Sequence, residues 1–350
     1  MRPLVLILGI DTVRAKTLYQ TRWLAQNGYD VDVFAMHRDE GSVGADDSAR
    51  IVAITSGPLG RVRQVVRYLR GNRARIHHVE LYVGGRFAFV YALLCRLMRA
   101  PLIAVERGDL LQCQKRAYPL SARLSIYACY RLANRVWLRE PYMARAFERW
   151  RVGGTFYLPN AVPLPPDSGP ERTTDLLWVN RLVPERHPDW FAAAVAELDA
   201  SCEIIGFSPG DPGPRVAELE AHVRAVLGSD PRTQLETFSD PVPAYERARF
   251  FVLPADVVFA NFALLEAMAH GVVPVVSDVE GSSELVEHGS NGFLAEHSPA
   301  GLRAALEEAL AVPNERWLGL SAAARATIAE RFSVEVWGRA LLTEYEAVAA

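Results

Sequence analysis

Apolar runs of strand length alternate with helix-length amphipathic stretches along the whole chain, the pattern of an α/β fold built on parallel sheets. In the first half this pattern predicts strands at Leu4–Leu8, Val31–Ala35, Ile51–Ile54, His78–Val83, Leu102–Val105 and Arg135–Leu138. Helical periodicity separates them, notably over Lys16–Asn27, which Gly28 would end in a left-handed conformation, and over Arg86–Met98. Pro163–Pro170 breaks the rhythm: four prolines in eight residues carry no periodicity and read as a linker. A second series follows, with strands at Leu176–Val179, Cys202–Ile205, Gln234–Thr237, Phe250–Leu253 and Val273–Val276. Helices over Ala300–Ala311, Arg316–Arg331 and Val334–Val348 complete it.

The expected organisation is two Rossmann-like, doubly wound domains facing a cleft, residues 1–162 and residues 171–332. A last helix, from about 333 to 350, is expected to pack back onto the first domain. Open α/β sheets bind ligands outside the carboxyl ends of their strands, so one substrate per domain suits this arrangement. The opening MRPLVLILGID reads as a first strand, too short for a secretory leader, and no stretch reaches membrane-spanning length. Four scattered cysteines without C-x-x-C spacing read as buried thiols.

The net charge of −3 hides an asymmetry. Up to Pro165 there are 25 basic residues against 12 acidic ones, and after it 13 against 29. Arginines crowd Arg61–Arg75 and the stretch from Lys115 to Arg151. A solvated helix face explains such crowding, and so does an anionic partner of the first domain: a membrane surface or a lipid-linked phosphate. No nucleic-acid partner is expected, because no stacking or groove-reading motif accompanies the charge. A cytoplasmic protein in peripheral contact with the inner face of the membrane is the corresponding expectation.

The chemistry concentrates in Phe250–Gly292. A buried strand ends at Pro254, a helix starts near Ala260–Asn261 and runs to His270, where Gly271 ends it, and a further strand leads into the small-residue turn Gly281-Ser282-Ser283. Amides before Leu264 and near Ser282 would make two successive anion sites, which suits a diphosphate. Glu266 is acidic amid apolar neighbours, where a carboxylate can accept both hydroxyls of a ribose; a solvated helix face is the plainer reading. His77-His78 reads as a satisfied pair, Gly84-Gly85 as a tight turn, and Trp178 and Trp190 as core.

The segment LLEAMAHGVVPVVSDVEGSSELVEHGSNGFL resembles the donor-site signature of retaining glycosyltransferases of family 4. LLWVNRLVPERHPDWF and the opening NGYDVDVFA are similar to that family as well. The resemblance implies a GT-B fold and transfer of a sugar from a nucleotide-diphosphate donor to a saccharide or lipid-linked acceptor. Carried onto this chain, it makes Arg181 and Arg186 the cations on the diphosphate and Glu266 the ribose clamp. Asn180, Gly206, Val258, Asn261, Phe262, Ala263, Leu264, Gly281 and Ser282 would line the donor site.

Three positions depart from the family pattern. Val258 stands where the family has the first acid of E-x7-E, Asn180 where it has Gly, and Arg186 where it has Lys. The family's first-domain His is missing; either Glu106, Arg107 or Asp109 takes its orienting role, or that role has lapsed. No carboxylate-rich or H-E-x-x-H metal motif is read, so neither a metal nor another cofactor is expected. Two other readings remain: a non-catalytic GT-B subunit that binds a nucleotide or a partner transferase, and a sugar-nucleotide epimerase.

Overall fold

The computed structural model describes residues 2–13, 15–38, 48–54, 57–84, 88–106, 113, 118–141, 143–166, 169, 172–237, 239–259 and 261–349. The chain divides into two compact units, Met1–Pro159 with Val334–Ala350, and Asn160–Ser333.

Unit 1 carries strands β1 (Leu4–Leu8), β2 (Thr12–Val13), β3 (Asp30–Ala35), β4 (His37–Arg38), β5 (Arg50–Ala53), β6 (Ile76–Tyr82), β7 (Leu102–Val105), β8 (Arg135–Leu138) and β9 (Thr155–Tyr157). Its helices are α1 (Ala15–Gln26), α2 (Pro58–Gly71), α3 (Ala88–Met98), α4 (Leu120–Leu132) and α5 (Met143–Arg149). Seven strands form one parallel sheet in the order β5-β3-β1-β6-β7-β8-β9; β2 and β4 pair separately. All five residues of β1 are buried, because a central strand with helices on both faces must be apolar on both. At the end of α1, Gly28 takes φ 88° while Tyr29 N–H donates to the Leu24 carbonyl at 3.0 Å, so the chain can turn back into β3.

Unit 2 contains β10 (Thr174–Val179), β11 (Cys202–Phe207), β12 (Thr233–Thr237), β13 (Ala248–Leu253), β14 (Val273–Ser277) and β15 (Phe293–Ala295). Its main helices are α6 (Pro188–Glu197), α7 (Pro214–Leu227), α8 (Val242–Arg247), α9 (Phe262–Ala269), α10 (Pro299–Leu310) and α11 (Asn314–Thr327). The six strands are parallel in the order β12-β11-β10-β13-β14-β15, the doubly wound order that reverses between β10 and β13. Trp178, Phe191, Phe207, Phe250 and Trp317 fill its core.

The last helix, α12 (Val334–Ala349), belongs to unit 1. Gly338 lies so close to α1 that a Cβ there would stand 2.2 Å from the Trp23 ring. Tyr345, fully buried, hydrogen-bonds with its hydroxyl to the Glu80 carboxylate of β6. Gln20 Nε2 donates to both oxygens of the same carboxylate at 2.9 Å, so this buried charge is fully engaged.

Several expectations change here. Two short strands, β9 and β15, were not legible as apolar runs. The arginine-rich segment is helix α2, whose apolar side, Val65 and Leu69, is spent on the unit's own core while Arg63, Arg67 and Arg70 point to solvent. The chain also contains one D-x-D string, Asp30-Val31-Asp32, but both carboxylates are ion-paired, with Arg75 and Arg50, so it is no metal motif. Among the described residues no helix is long and apolar enough to cross a membrane.

Candidate functional site

The carboxyl ends of β10 and β13, where the strand order reverses, bring most of the expected site residues of unit 2 together. Asn180 follows β10 directly. Its carbonyl accepts from Trp178 Nε1 at 2.7 Å, and Gly206 of β11 presses so near that a Cβ would stand 2.1 Å from that oxygen. Only glycine allows this approach, which lets β11 lie against the Asn180 backbone. Asn180 is 5% exposed, and its Nδ2 donor is buried without a partner. A buried amide donor left unmade costs about 1–3 kcal/mol, a cost that an incoming acceptor atom removes.

Arg181 is exposed and Arg186 sits in the short turn Pro184–Arg186. Burial, with the repulsion of Arg181 behind it, pushes the Arg186 guanidinium down to about 10. No salt bridge or hydrogen bond meets that side chain among the described residues. Two arginines that repel one another, one of them mostly dehydrated, form a centre that an anion would relieve.

After β13 the chain crosses a loop to α9. Asn261 caps this helix, its side chain accepting from Leu264 N–H at 3.3 Å, and Leu265 N–H donates to the Asn261 carbonyl at 2.9 Å. At the far end Arg172 donates to the His270 carbonyl at 2.7 Å and Arg325 reaches the Ala269 carbonyl, so cations sit at the negative end of the helix. Glu266, half-buried on α9, accepts from the buried Tyr245 hydroxyl at 3.3 Å. Gly281, at φ 90°, lies against the preceding loop; a Cβ would stand 2.3 Å from the Val258 carbonyl oxygen.

Residues 173–311 match the family model for group 1 glycosyl transferases. No curated protein matches the sequence significantly. Among solved structures, a sucrose-phosphate synthase from Thermosynechococcus elongatus aligns with a TM-score of 0.78 at 18% identity over 99% of each chain. The Anabaena protein HepE, in complex with UDP and glucose, gives 0.78 at 17% identity over 99% of this chain and 100% of that one. The lipopolysaccharide outer core galactosyltransferase WaaB in its apo form gives 0.67 at 13% identity over 99% of each. The chain has a fold of the GT-B type.

Within this GT-B fold several residues of the expected donor-site lining have other partners or are buried. Val258 is 0% exposed, so its side chain is packed inward. The Leu264 amide is taken by the Asn261 cap, and the Leu264 side chain is core. Ala263 is likewise buried, and Phe262 is half-buried. Ser282 is buried, its hydroxyl donating to the Val279 carbonyl at 2.7 Å, so it shapes the turn. In unit 1, Glu106 is 0% exposed and accepts from the Tyr130 hydroxyl, a core hydrogen bond. Arg107, Gly108, Asp109 and Gly85 lie outside the described residues. His77 and His78 pair through their Nδ1 atoms at 2.9 Å.

Trp190 is half-buried: it packs against the core of its unit and stacks on His187 with ring centroids 3.7 Å apart. His187, Asp256 and His297 converge beside it, the one group of three potential metal ligands among the described residues. Sequence reading missed this group and expected no metal. Its members are far apart along the chain, and the signal they share is position: Asp256 and His297 each follow a strand's carboxyl end closely.

Proposed function

We propose that this enzyme takes a sugar from a nucleotide-diphosphate donor bound by unit 2 and passes it, with retention of configuration, to a saccharide or lipid-linked acceptor. Bacterial polysaccharide or glycoconjugate synthesis is the setting we infer, with a hexose or modified hexose as the transferred group. The observation that carries the reading is the unpaired Arg186 beside Arg181, next to the orphaned Asn180 amide at the strand-order reversal. Glu266, braced by Tyr245, is the acceptor for the ribose hydroxyls. UDP in the HepE complex supports a uridine nucleotide as the first donor to try.

In the transfer, the bond from the anomeric carbon to the diphosphate breaks while the acceptor oxygen bonds to the same face. The acceptor proton passes to a departing phosphate oxygen, so no side-chain base is required. Arg181 and Arg186 take up the charge that grows on the leaving group, and stabilisation of this kind is the main enzymatic contribution. The transfer itself needs no metal in this scheme. The basic charge of unit 1, carried by arginines that α2 exposes, supports peripheral contact with anionic lipid through charge alone.

A thermal-shift panel of nucleotide sugars tests the donor. A ligand at a hundred times its dissociation constant stabilises by about 2.7 kcal/mol. Stabilisation by no nucleotide diphosphate or its sugars would refute the proposal. The burial of Val258, at the position where the family resemblance implies an acid, favours the second reading, a non-catalytic nucleotide-binding subunit. Turnover of radiolabelled donor with membrane extract separates the two.

A further inference from the structure

Three side chains outside the donor reading meet at the carboxyl edge of the unit 2 sheet. His187 opens α6 in the left-handed conformation, φ 48°, and Trp190 stacks on its ring with 13° between the planes, which fixes that ring. Asp256 lies just past β13, and its backbone N–H donates to the Glu185 carbonyl at 3.0 Å, fastening its loop to the Pro184–Arg186 turn. His297 lies just past β15; its Nδ1 pairs with Ser277 Oγ at 3.2 Å, which turns Nε2 toward the other two. The result is His187 Nε2 at 2.6 Å and His297 Nε2 at 3.3 Å from one oxygen, Asp256 Oδ1. One ligand atom from each residue lies within 4.8 Å of the other two.

We propose that His187, Asp256 and His297 form a binding site for a borderline divalent transition metal such as Zn2+, Co2+ or Ni2+. Two imidazoles and one carboxylate are the donor set such ions prefer, whereas Mg2+ and Ca2+ seek oxygen ligands alone. Ions of this kind hold nitrogen at about 2.0–2.1 Å, so tetrahedral ligands stand about 3.4 Å from one another. The separations from Asp256 Oδ1, 2.6 Å for His187 and 3.3 Å for His297, lie below and close to that value, so ring rotations that open the first would admit an ion. Ser277 supplies the outer hydrogen bond that orients a metal-bound histidine. Asp256 is half exposed, which leaves the fourth position open to water or an anion. The ion would cross-link the loop that carries Val258 to the turn that carries Arg186, and so stiffen the surroundings of the donor cations. Its role is separate from the transfer step, and its failure would leave the donor reading untouched.

The test uses tag-free protein stripped with chelator. Calorimetric titration with Zn2+ is expected to show one equivalent bound, and Co2+ to develop the visible bands of nitrogen-ligated tetrahedral cobalt. Ser277→Ala should weaken Zn2+ binding about tenfold. His187→Gln, Asp256→Asn and His297→Gln should each weaken it more and abolish the cobalt spectrum. Melting of the metal-free variants monitors the fold; a variant that melts far below the parent is replaced by His297→Phe, which keeps a ring of similar breadth. Absence of one-equivalent binding by the parent at about 1 mM Zn2+, or equal affinity in the parent and every folded variant, overturns the proposal and leaves the group as an ion-paired cluster only.

Discussion

Arg186→Met should change stability and binding in opposite directions. Burial and Arg181 push the Arg186 guanidinium from its ordinary range to about 10, a fall of at least about two pH units at about 1.4 kcal/mol each. At pH 7 the group is still charged, because 10 lies above 7. The folded state therefore bears a penalty of order 3 kcal/mol at every pH below about 10, and the penalty fades only as the pH rises beyond it. Methionine keeps the length of the side chain and removes the charge. After allowance for lost packing, the ligand-free variant should gain about 1–2 kcal/mol, a rise in melting temperature of about 3–6 °C for a unit of this size. The same change removes charge-assisted hydrogen bonds to a diphosphate, about 1.5–3 kcal/mol, so UDP should bind roughly 10- to 150-fold more weakly. Differential scanning calorimetry without ligand and titration calorimetry with UDP read the two effects separately. A variant that melts lower than the parent, or one that keeps UDP affinity within twofold, refutes the view that Arg186 is a strained cation held ready for an anion.

Arg181→Ala should also weaken UDP binding, by about 1.5–3 kcal/mol, while Arg186→Lys, which keeps a cation, loses less; calorimetry ranks the three. Val258→Glu places a carboxylate where no solvent reaches, so it should lower the melting temperature and depress turnover of the native donor. Raised turnover in that variant would instead mark the valine as a lesion. Gly338→Ala drives a methyl group into the Trp23 ring and should cost about 1–3 kcal/mol in a denaturant melt, with UDP affinity unchanged. Binding of the protein to vesicles should require anionic lipid and fall as salt rises from about 0.05 to about 0.5 M; equal binding to neutral vesicles contradicts a purely electrostatic contact.

The central strands were legible because buried parallel strands are apolar on both faces: Leu4–Leu8 and Leu102–Val105 stand where their runs place them. Edge strands of three residues, Thr155–Tyr157 and Phe293–Ala295, are too short to give such a run. The end of helix α9 was readable from the Gly271 stop, which is local chemistry, whereas the Asn261 cap at its start emerged only with the structure. Side-chain direction was not. Nothing local says that Val258 turns inward, that the Ser282 hydroxyl is consumed by its own turn, or that Glu106 meets Tyr130. The His187–Asp256–His297 group was invisible for a related reason, since three loops from distant parts of the chain meet only once the sheet order is set.

The return of α12 to the first unit has a consequence for synthesis. Unit 2 is one unbroken stretch, residues 160–333, and can close its core as soon as that stretch has left the ribosome. Unit 1 begins earlier yet cannot finish, because the Glu80 carboxylate waits for the Tyr345 hydroxyl and the Trp23 side of α1 waits for α12. The order of emergence and the order of completion are thus reversed. The nascent first unit must carry an uncovered flank through the making of the whole second unit, and in that interval it is exposed to chaperones, to misassociation with a second copy, and to proteolysis.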